Sequence, residues 1–259
     1  MCLAVGQSMY SSLHRTYPSL RVNRQQRTIP TRLRGYRGVS IALPRGVIVF
    51  ITPDGFCDDK GAAVKLARDA LEGGVGLVQI RDRLASLESL YAVTAALRSE
   101  LGGCERFAVN GPHALSIARS NAGIGVHVRE SRIVEDVPEA CLTVCNGGVV
   151  GCSVHSVQAA VEAVRHGPPD YIQVGTMFET RSHPGKVPEG PDLLSRVREA
   201  VRPSCMLIGV GGITAGTAAT VIEHGADGVA IISGIAAAAD PAAAAANIKR
   251  KLQVSKVTE

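Results

Sequence analysis

The sequence has no tryptophan, and only 3% of its 259 residues are aromatic, so its core must be built mainly from aliphatic side chains. No apolar run approaches the ~18 residues that a membrane helix needs, and we therefore expect no membrane partner. The seven cysteines form no Cys-x-x-Cys pair and no Cys/His array, which excludes the common zinc motifs. Hydrophobic residues make up 46% of the chain, which is enough for one sizeable core.

Acidic residues are absent from the first 45 positions, which hold eight arginines and no lysine. The rest of the chain is nearly neutral, so the net charge of +5 comes from this segment. An arginine-rich, serine-containing, acid-free N-terminus is typical of an organelle transit peptide, and residues 1–45 therefore predict a disordered leader. We favour a plastid over a mitochondrion as its destination. If the leader carries no targeting signal, we expect the protein to remain in the cytoplasm. Residues 46–259 carry no basic stripe and predict no nucleic-acid partner.

Eight short apolar runs rich in β-branched residues alternate with segments of helical spacing. The runs are 47–51, 77–80, 107–109, 125–128, 149–152, 171–174, 206–209 and 228–232. Strands that alternate with helices imply right-handed βαβ units and a parallel sheet. Eight units predict the α/β class and a single compact (β/α)8 TIM barrel over residues 46–259. The helix after the fourth run is the weakest, because Pro138 lies inside its candidate segment, 133–141.

Polar residues follow the fifth and sixth of these runs. Ser153 and His155 lie in Gly-Cys-Ser-Val-His-Ser, and Thr180 and Lys186 follow the sixth run. In a TIM barrel the carboxyl ends of the strands carry the active site, so these side chains are expected to meet there. A histidine at a strand end is more often a structural residue than a catalyst, but the polar residues that accompany His155 favour a functional site.

The second run leads into Gln79, Arg81 and Arg83, which would share one face if the strand continued. We therefore expect all three to point toward the mouth of the barrel. Arg81 suits bidentate recognition of a carboxylate or phosphate, and Asp82 is the candidate to hold it in place. The alternative is that Arg81 and Asp82 form an ion pair on the protein surface, because the sequence does not distinguish that arrangement from a binding site.

Glycines directly follow the seventh and eighth runs. Gly211 and Gly212 come after one, and Ser233 and Gly234 after the other. Loops at these two positions of a TIM barrel commonly hold a phosphate with backbone N–H groups and the start of a helix. We interpret these four residues as a phosphate cradle; tight turns that bind nothing are the alternative.

These motifs, in this order, resemble the thiamine phosphate synthase and TenI superfamily of thiamine biosynthesis over residues 47 to about 252. The resemblance rests on Val-Gln-Ile-Arg-Asp-Arg, Ala-Val-Asn110, Gly-Val-His127, Gly-Cys-Ser-Val-His155-Ser, Gly211-Gly212-Ile and Gly225-Ala-Asp-Gly-Val. It implies a TIM barrel whose ligand is a phosphorylated thiazole, and it makes Asn110 and Ser153 candidate substrate contacts.

The synthase branch joins an aminopyrimidine diphosphate to a thiazole phosphate, and its members hold Mg²⁺ with two aspartates that follow the third and fourth strands. This sequence has Gly111 at the first position and Arg132 near the second. Glu130 is the remaining carboxylate that could substitute. Magnesium is therefore expected only if the protein is a synthase that uses other ligands.

The TenI branch resembles this sequence more closely around His155 and after the sixth strand, and it implies a thiazole tautomerase that aromatises a carboxythiazole phosphate. That reaction needs a phosphate site, a cation for the carboxylate and a proton-transferring histidine, and it needs no metal or other cofactor. The resemblance to the Ser-Val-His-Ser motif of this branch makes His155 the candidate catalytic acid/base. The favoured prediction is therefore a metal-independent tautomerase. A divergent synthase is the alternative, and a non-catalytic barrel that binds thiazole or thiamine phosphates is the second. A homo-oligomer is compatible with each.

Overall fold

The computed structural model describes residues 43–144, 147–180, 185, 187–201 and 205–254. They form a closed barrel in which every strand pairs in parallel with the next, and the last strand pairs with the first. The strands are β1 Val47–Ile51, β2 Leu77–Ile80, β3 Phe107–Asn110, β4 Gly125–Val128, β5 Val150–Val154, β6 Tyr171–Gly175, β7 Met206–Val210 and β8 Gly228–Ile231. The predicted single (β/α)8 TIM barrel is confirmed.

Helices follow the strands and cover the outside of the barrel. They are α1 Lys60–Glu72, α2 Leu87–Leu101, α3 Ala114–Ser120, α4 Ile133–Thr143, α5 Val157–His166, α6 Asp192–Val201, α7 Ala218–Glu223, α8 Ser233–Ala236 and α9 Pro241–Val254. None of the helices described is long and apolar enough to cross a membrane. Since the predicted leader ends at residue 45, it falls almost wholly outside the described residues and stays a prediction.

The α4 helix continues through Pro138 and ends at Thr143, two residues beyond the predicted segment. Proline removes the hydrogen bond to the carbonyl four residues earlier, which belongs to Val134. Val134 is an exposed position, so water can reach this part of the helix. The last helix, α9, starts at Pro241, and the side chain of Asp240 accepts the Ala243 N–H at 2.9 Å as an N-cap.

Two apolar clusters build the core. The larger lies between the strands and the helices, and the smaller lies inside the barrel and reaches the cavity at Ile51 and Ala230. We call the smaller one the barrel floor; it contains Val47, Val49, Ile51, Leu77, Ala108, Val149, Tyr171, Ile208 and Ala230. Closer to the carboxyl ends of the strands, the buried residues become polar, at Gln79, His127 and Gln173. This upper polar layer forms the base of the functional site.

Candidate active site

A cavity of about 560 Å³ opens at the carboxyl ends of the strands. Ten of the twelve residues singled out in the sequence line it: Gln79, Arg81, Asn110, Ser153, His155, Thr180, Gly211, Gly212, Ser233 and Gly234. Arg83 does not line it, and Lys186 lies outside the described residues. The fold thus gathers side chains and loops from β2, β3, β5, β6, β7 and β8 around one space.

Arg81 reaches the cavity because the chain leaving β2 is tied to the end of β1. The backbone N–H of Arg81 donates to Thr52 Oγ1 at 2.9 Å, and the Thr52 hydroxyl donates to the Arg81 carbonyl at 2.8 Å. The Arg81 guanidinium is mostly buried and lies 3.6 Å from Asp54. Burial lowers the pKa of Arg81, and the cation of Arg83 adds to this, but arginine stays charged in proteins.

Arg83 turns away from the cavity and binds Asp54. Its Nε donates to Asp54 Oδ2 at 2.9 Å, and its backbone N–H donates to the same carboxylate. The hydrogen bond from Arg83 lowers the pKa of Asp54 to about 2. The predicted placement of Arg83 fails because β2 ends at Ile80, so strand alternation does not extend to residue 83. Asp82 also differs from expectation, since it accepts the backbone N–H groups of Cys57 and Leu84 and holds the loop.

The base of the cavity holds a pair of buried amides. Gln173 Nε2 donates to Gln79 Oε1 at 2.6 Å, and both side chains line the cavity. The pair spans the barrel interior, because Gln79 lies on β2 and Gln173 on β6. Gln173 was not predicted as a site residue, although it follows Tyr171 at the strand period of two and so shares its inward face.

His155 forms a hydrogen-bonded pair with Glu130 through Nδ1 and a carboxylate oxygen, and both residues line the cavity. Glu130 belongs to a single 3₁₀ turn after β4, and His155 directly follows β5. Both side chains are partly exposed, at 43% for His155 and 34% for Glu130. A carboxylate that binds one imidazole nitrogen fixes the orientation of the ring, which is the usual arrangement of a general acid/base.

Arg129 lines the same cavity beside Glu130, and its charge contributes to the lowered pKa of Arg81. In the described part of the chain, the Arg129 guanidinium has neither a hydrogen bond nor an ion pair. By contrast, Arg132 binds Asp136 through two nitrogens, at 2.7 and 3.1 Å, and does not line this cavity. Arg81 and Arg129 together make one wall of the cavity cationic.

The predicted phosphate cradle lies across the cavity from Arg129, since β4 and β8 are four strands apart in the closed barrel. Gly211 and Gly212 have backbone φ angles of +101° and +64°, which favour glycine. A Cβ on Gly212 would lie 2.3 Å from the Glu179 carbonyl. Ser233 and Gly234 begin α8, where the first N–H groups have no preceding helical carbonyl to bind.

Replacing Gly212 by alanine is expected to weaken phosphate binding by at least ~10-fold, because the loop must move away from Glu179 and leave the left-handed region. Calorimetric titration with inorganic phosphate measures this effect. Gly216 is the matched control, because its added Cβ would meet nothing closer than 3.7 Å. Equal phosphate affinity in the two variants would show that the cradle does not bind phosphate.

The donor set does not fit a two-carboxylate magnesium site. Gly111 has no side chain, and Arg132 is a cation. Glu130 and Glu179 are the carboxylates among the described residues of the cavity wall, and Glu130 binds His155. Among the residues that the structure describes, no three His, Cys, Asp or Glu side chains converge where they could hold a metal ion.

Glycine-rich loops that face a cationic wall in a TIM barrel are the arrangement expected of a protein that binds anionic small molecules. Comparison with known proteins identifies the group. Residues 48–235 match the family model described as thiamine monophosphate synthase, a range that contains β2 to β8 and all of β1 except its first residue. The chain belongs to this family, and its resemblance to the thiamine phosphate synthase and TenI superfamily is confirmed.

Individual relatives agree with the family assignment. The thiamine-phosphate synthase of Geobacillus kaustophilus is 35% identical, over 75% of this chain and 87% of its own. That of Haloarcula marismortui is 36% identical, over 70% and 85%. The solved thiamine phosphate pyrophosphorylase of Pyrococcus furiosus superimposes with a TM-score of 0.65 at 26% identity, over 82% of this chain and 97% of that one.

These relatives place the chain among enzymes of thiamine biosynthesis. Their names favour a synthase, the alternative of the sequence analysis, and give no support to the tautomerase that it preferred.

Proposed function

We propose that this protein is a transferase of the thiamine-phosphate synthase type, which joins an aminopyrimidine diphosphate to a thiazole phosphate. The observation that carries the proposal is the match to synthases over residues 48–235, which include every described residue of the cavity wall. A cavity of about 560 Å³ is in the range that holds small-molecule ligands.

The reaction breaks the C–O bond between a benzylic-type methylene and diphosphate, and the bonding pair leaves with the diphosphate. The lone pair of the thiazole nitrogen then forms the new C–N bond. The main demand on the protein is to stabilise the negative charge that develops on the leaving group. Arg81 and Arg129 are the cations of the cavity wall that can do so, while Gly211, Gly212, Ser233 and Gly234 hold the thiazole phosphate.

Magnesium in this family would supply the same stabilisation of the leaving diphosphate. Because the residues here do not form the paired carboxylate site, the arginines are assigned the charge-neutralising role. Gln79, Asn110, Ser153 and Thr180 remain as neutral polar contacts for the two rings.

One observation favours a second reaction, the tautomerisation of a carboxythiazole phosphate. His155 is held by Glu130 at the cavity wall, as a proton-transferring imidazole would be. In that reaction His155 removes a proton from one ring position and returns it at another, and Arg81 binds the carboxylate. Neither the proton transfer nor the binding of the carboxylate requires a metal ion.

Replacing His155 by alanine distinguishes the two reactions. Isomerisation is expected to fall by ~10²–10⁴-fold, because its general acid/base is lost. Condensation is expected to fall far less, because the arginines remain. His166→Ala is the matched control, since His166 also lies beside a glutamate, with Nε2 3.3 Å from Glu162, but outside the cavity.

The assay offers the full-length protein either the carboxythiazole tautomer or the diphosphate and thiazole phosphate pair, with and without EDTA. Condensation would support the synthase proposal. EDTA-resistant isomerisation that is lost in His155→Ala would replace it with the tautomerase. Binding of thiazole phosphate without turnover in either assay would leave a non-catalytic binding protein and overturn both.

A further inference from the structure

Three hydrogen-bonded side chains connect the barrel floor with the cavity. The Tyr171 hydroxyl lies 3.0 Å from His127 Nδ1, and His127 Nε2 lies 2.7 Å from Ser153 Oγ. Tyr171 and His127 are almost completely inaccessible to water, whereas Ser153 lines the cavity. The three residues lie on β6, β4 and β5, so the chain crosses adjacent strands of the sheet.

Burial determines the protonation states of Tyr171 and His127 in this hydrogen-bonded series. It lowers the pKa of His127 to about 3, and the nearby charge of Arg81 acts in the same direction. It raises the pKa of Tyr171. The imidazole is therefore neutral and carries one ring proton, and the phenol keeps its own.

The hydrogen of the Tyr171 hydroxyl determines where the imidazole proton lies. Among the described residues, His127 is the one hydrogen-bond partner of that hydroxyl, so the buried hydrogen is satisfied only by donation to Nδ1. His127 then carries its proton on Nε2 and donates to Ser153 Oγ. The opposite direction would leave the phenol hydrogen without an acceptor, at a cost of about 1–3 kcal/mol.

In this arrangement Ser153 accepts a hydrogen bond from the protein and has its own hydrogen to donate. No described residue accepts that hydrogen, and the open side of Ser153 is the cavity. We propose that Tyr171 and His127 are positioning residues that fix Ser153 as a hydrogen-bond donor to the ligand. The preferred ligand atom at this place is an acceptor, either an anionic oxygen or an unprotonated ring nitrogen.

Packing holds the hydrogen-bonded side chains of Tyr171 and His127 in place. The Tyr171 and His127 rings are tilted by 33° with centroids 5.6 Å apart, and the tyrosine ring occupies the space over Gly151. Tyr171→Phe keeps this packing and removes only the hydroxyl, so the variant is expected to fold. Without the phenol, Nδ1 has no partner among the described residues in either tautomer of His127, so the preference for a proton on Nε2 weakens and Ser153 is no longer fixed as a donor.

The first test is side-chain ¹⁵N NMR of the full chain, in which the His127 signals are assigned through their contacts with the Tyr171 ring. We expect the proton on Nε2 in the wild type and a shift toward the Nδ1-protonated form in Tyr171→Phe. A wild-type His127 protonated on Nδ1, or an unchanged tautomer in Tyr171→Phe, would overturn the proposal. This readout does not depend on the reaction that the enzyme catalyses.

The second test is a double-mutant cycle on the affinity for thiamine phosphate, and it rests on the proposed function. Ser153→Ala is expected to weaken binding by ~10-fold, and Tyr171→Phe by several-fold. In the Ser153→Ala background, Tyr171→Phe should change the affinity by less than about twofold, because both act through one hydroxyl. Additive losses would contradict the role of Tyr171, whereas a wild type that does not bind thiamine phosphate would count against the proposed function and leave the NMR result standing.

Discussion

Replacing Gly151 by alanine is expected to lower the free energy of unfolding by about 3 kcal/mol, at the upper end of the range for overpacked cores. The added Cβ would lie 2.1 Å from a carbon of the Tyr171 ring, on the neighbouring strand of the closed barrel. Tyr171 is fully buried in the barrel floor, so its ring has no solvent side to move to. Any displacement also breaks the hydrogen bond to His127.

Urea unfolding of the wild type and the variant measures this effect. Gly216→Ala is the control, and it is expected to stay within ~0.5 kcal/mol of the wild type. In the Gly151→Ala background, Tyr171→Leu should recover part of the loss because it removes the atoms that clash. An unchanged urea midpoint in Gly151→Ala would mean that the tyrosine ring does not pack on this glycine.

Replacing Arg81 by alanine is expected to lower kcat/KM by ~10²-fold or more, because a mostly buried cation at the cavity wall is lost. Arg81→Lys should recover only part of this activity, since lysine cannot make the bidentate contact of a guanidinium. Steady-state kinetics with the condensation substrates, or with the carboxythiazole tautomer, provides the measurement for either proposed reaction.

Arg83→Ala is a matched control for Arg81→Ala. Both arginines lie beside Asp54, but Arg83 is 60% exposed and lies outside the cavity. Its loss is expected to change kcat/KM by less than about threefold. If the two variants lose activity equally, the ion pairs around Asp54 would matter for the loop as a whole, and Arg81 would have no direct role toward the ligand.

The sequence predicted the barrel well because its strands are short, rich in β-branched residues and bounded by polar residues or glycine. Each of the eight predicted runs contains most of an observed strand, and helices occupy the segments of helical spacing between them. The α4 helix was uncertain because of Pro138, and its partly solvent-accessible position explains why the fold tolerates that residue.

The candidate site could be predicted where it depends on chain position and not where it depends on contacts across the barrel. Residues that directly follow strands, such as His155 and Gly212, were predicted to lie at the carboxyl ends and do. The contact between Gln79 and Gln173 depends on the register of a closed barrel, and the turn of Arg83 toward Asp54 depends on where β2 ends. Neither is encoded in residue spacing.

The separation between the barrel floor and the polar layer above it has a consequence for laboratory evolution of this enzyme. Most side chains of the floor and of the cluster beneath the helices do not line the cavity, whereas Gln79, Ser153 and Gln173 do. A library that randomises Ser153 and replaces Gln79 and Gln173 together would sample new substrates without leaving one buried amide unpaired. The floor residues are poor targets for such a library, because in a close-packed layer selection for folding would remove variants before their activity could be screened.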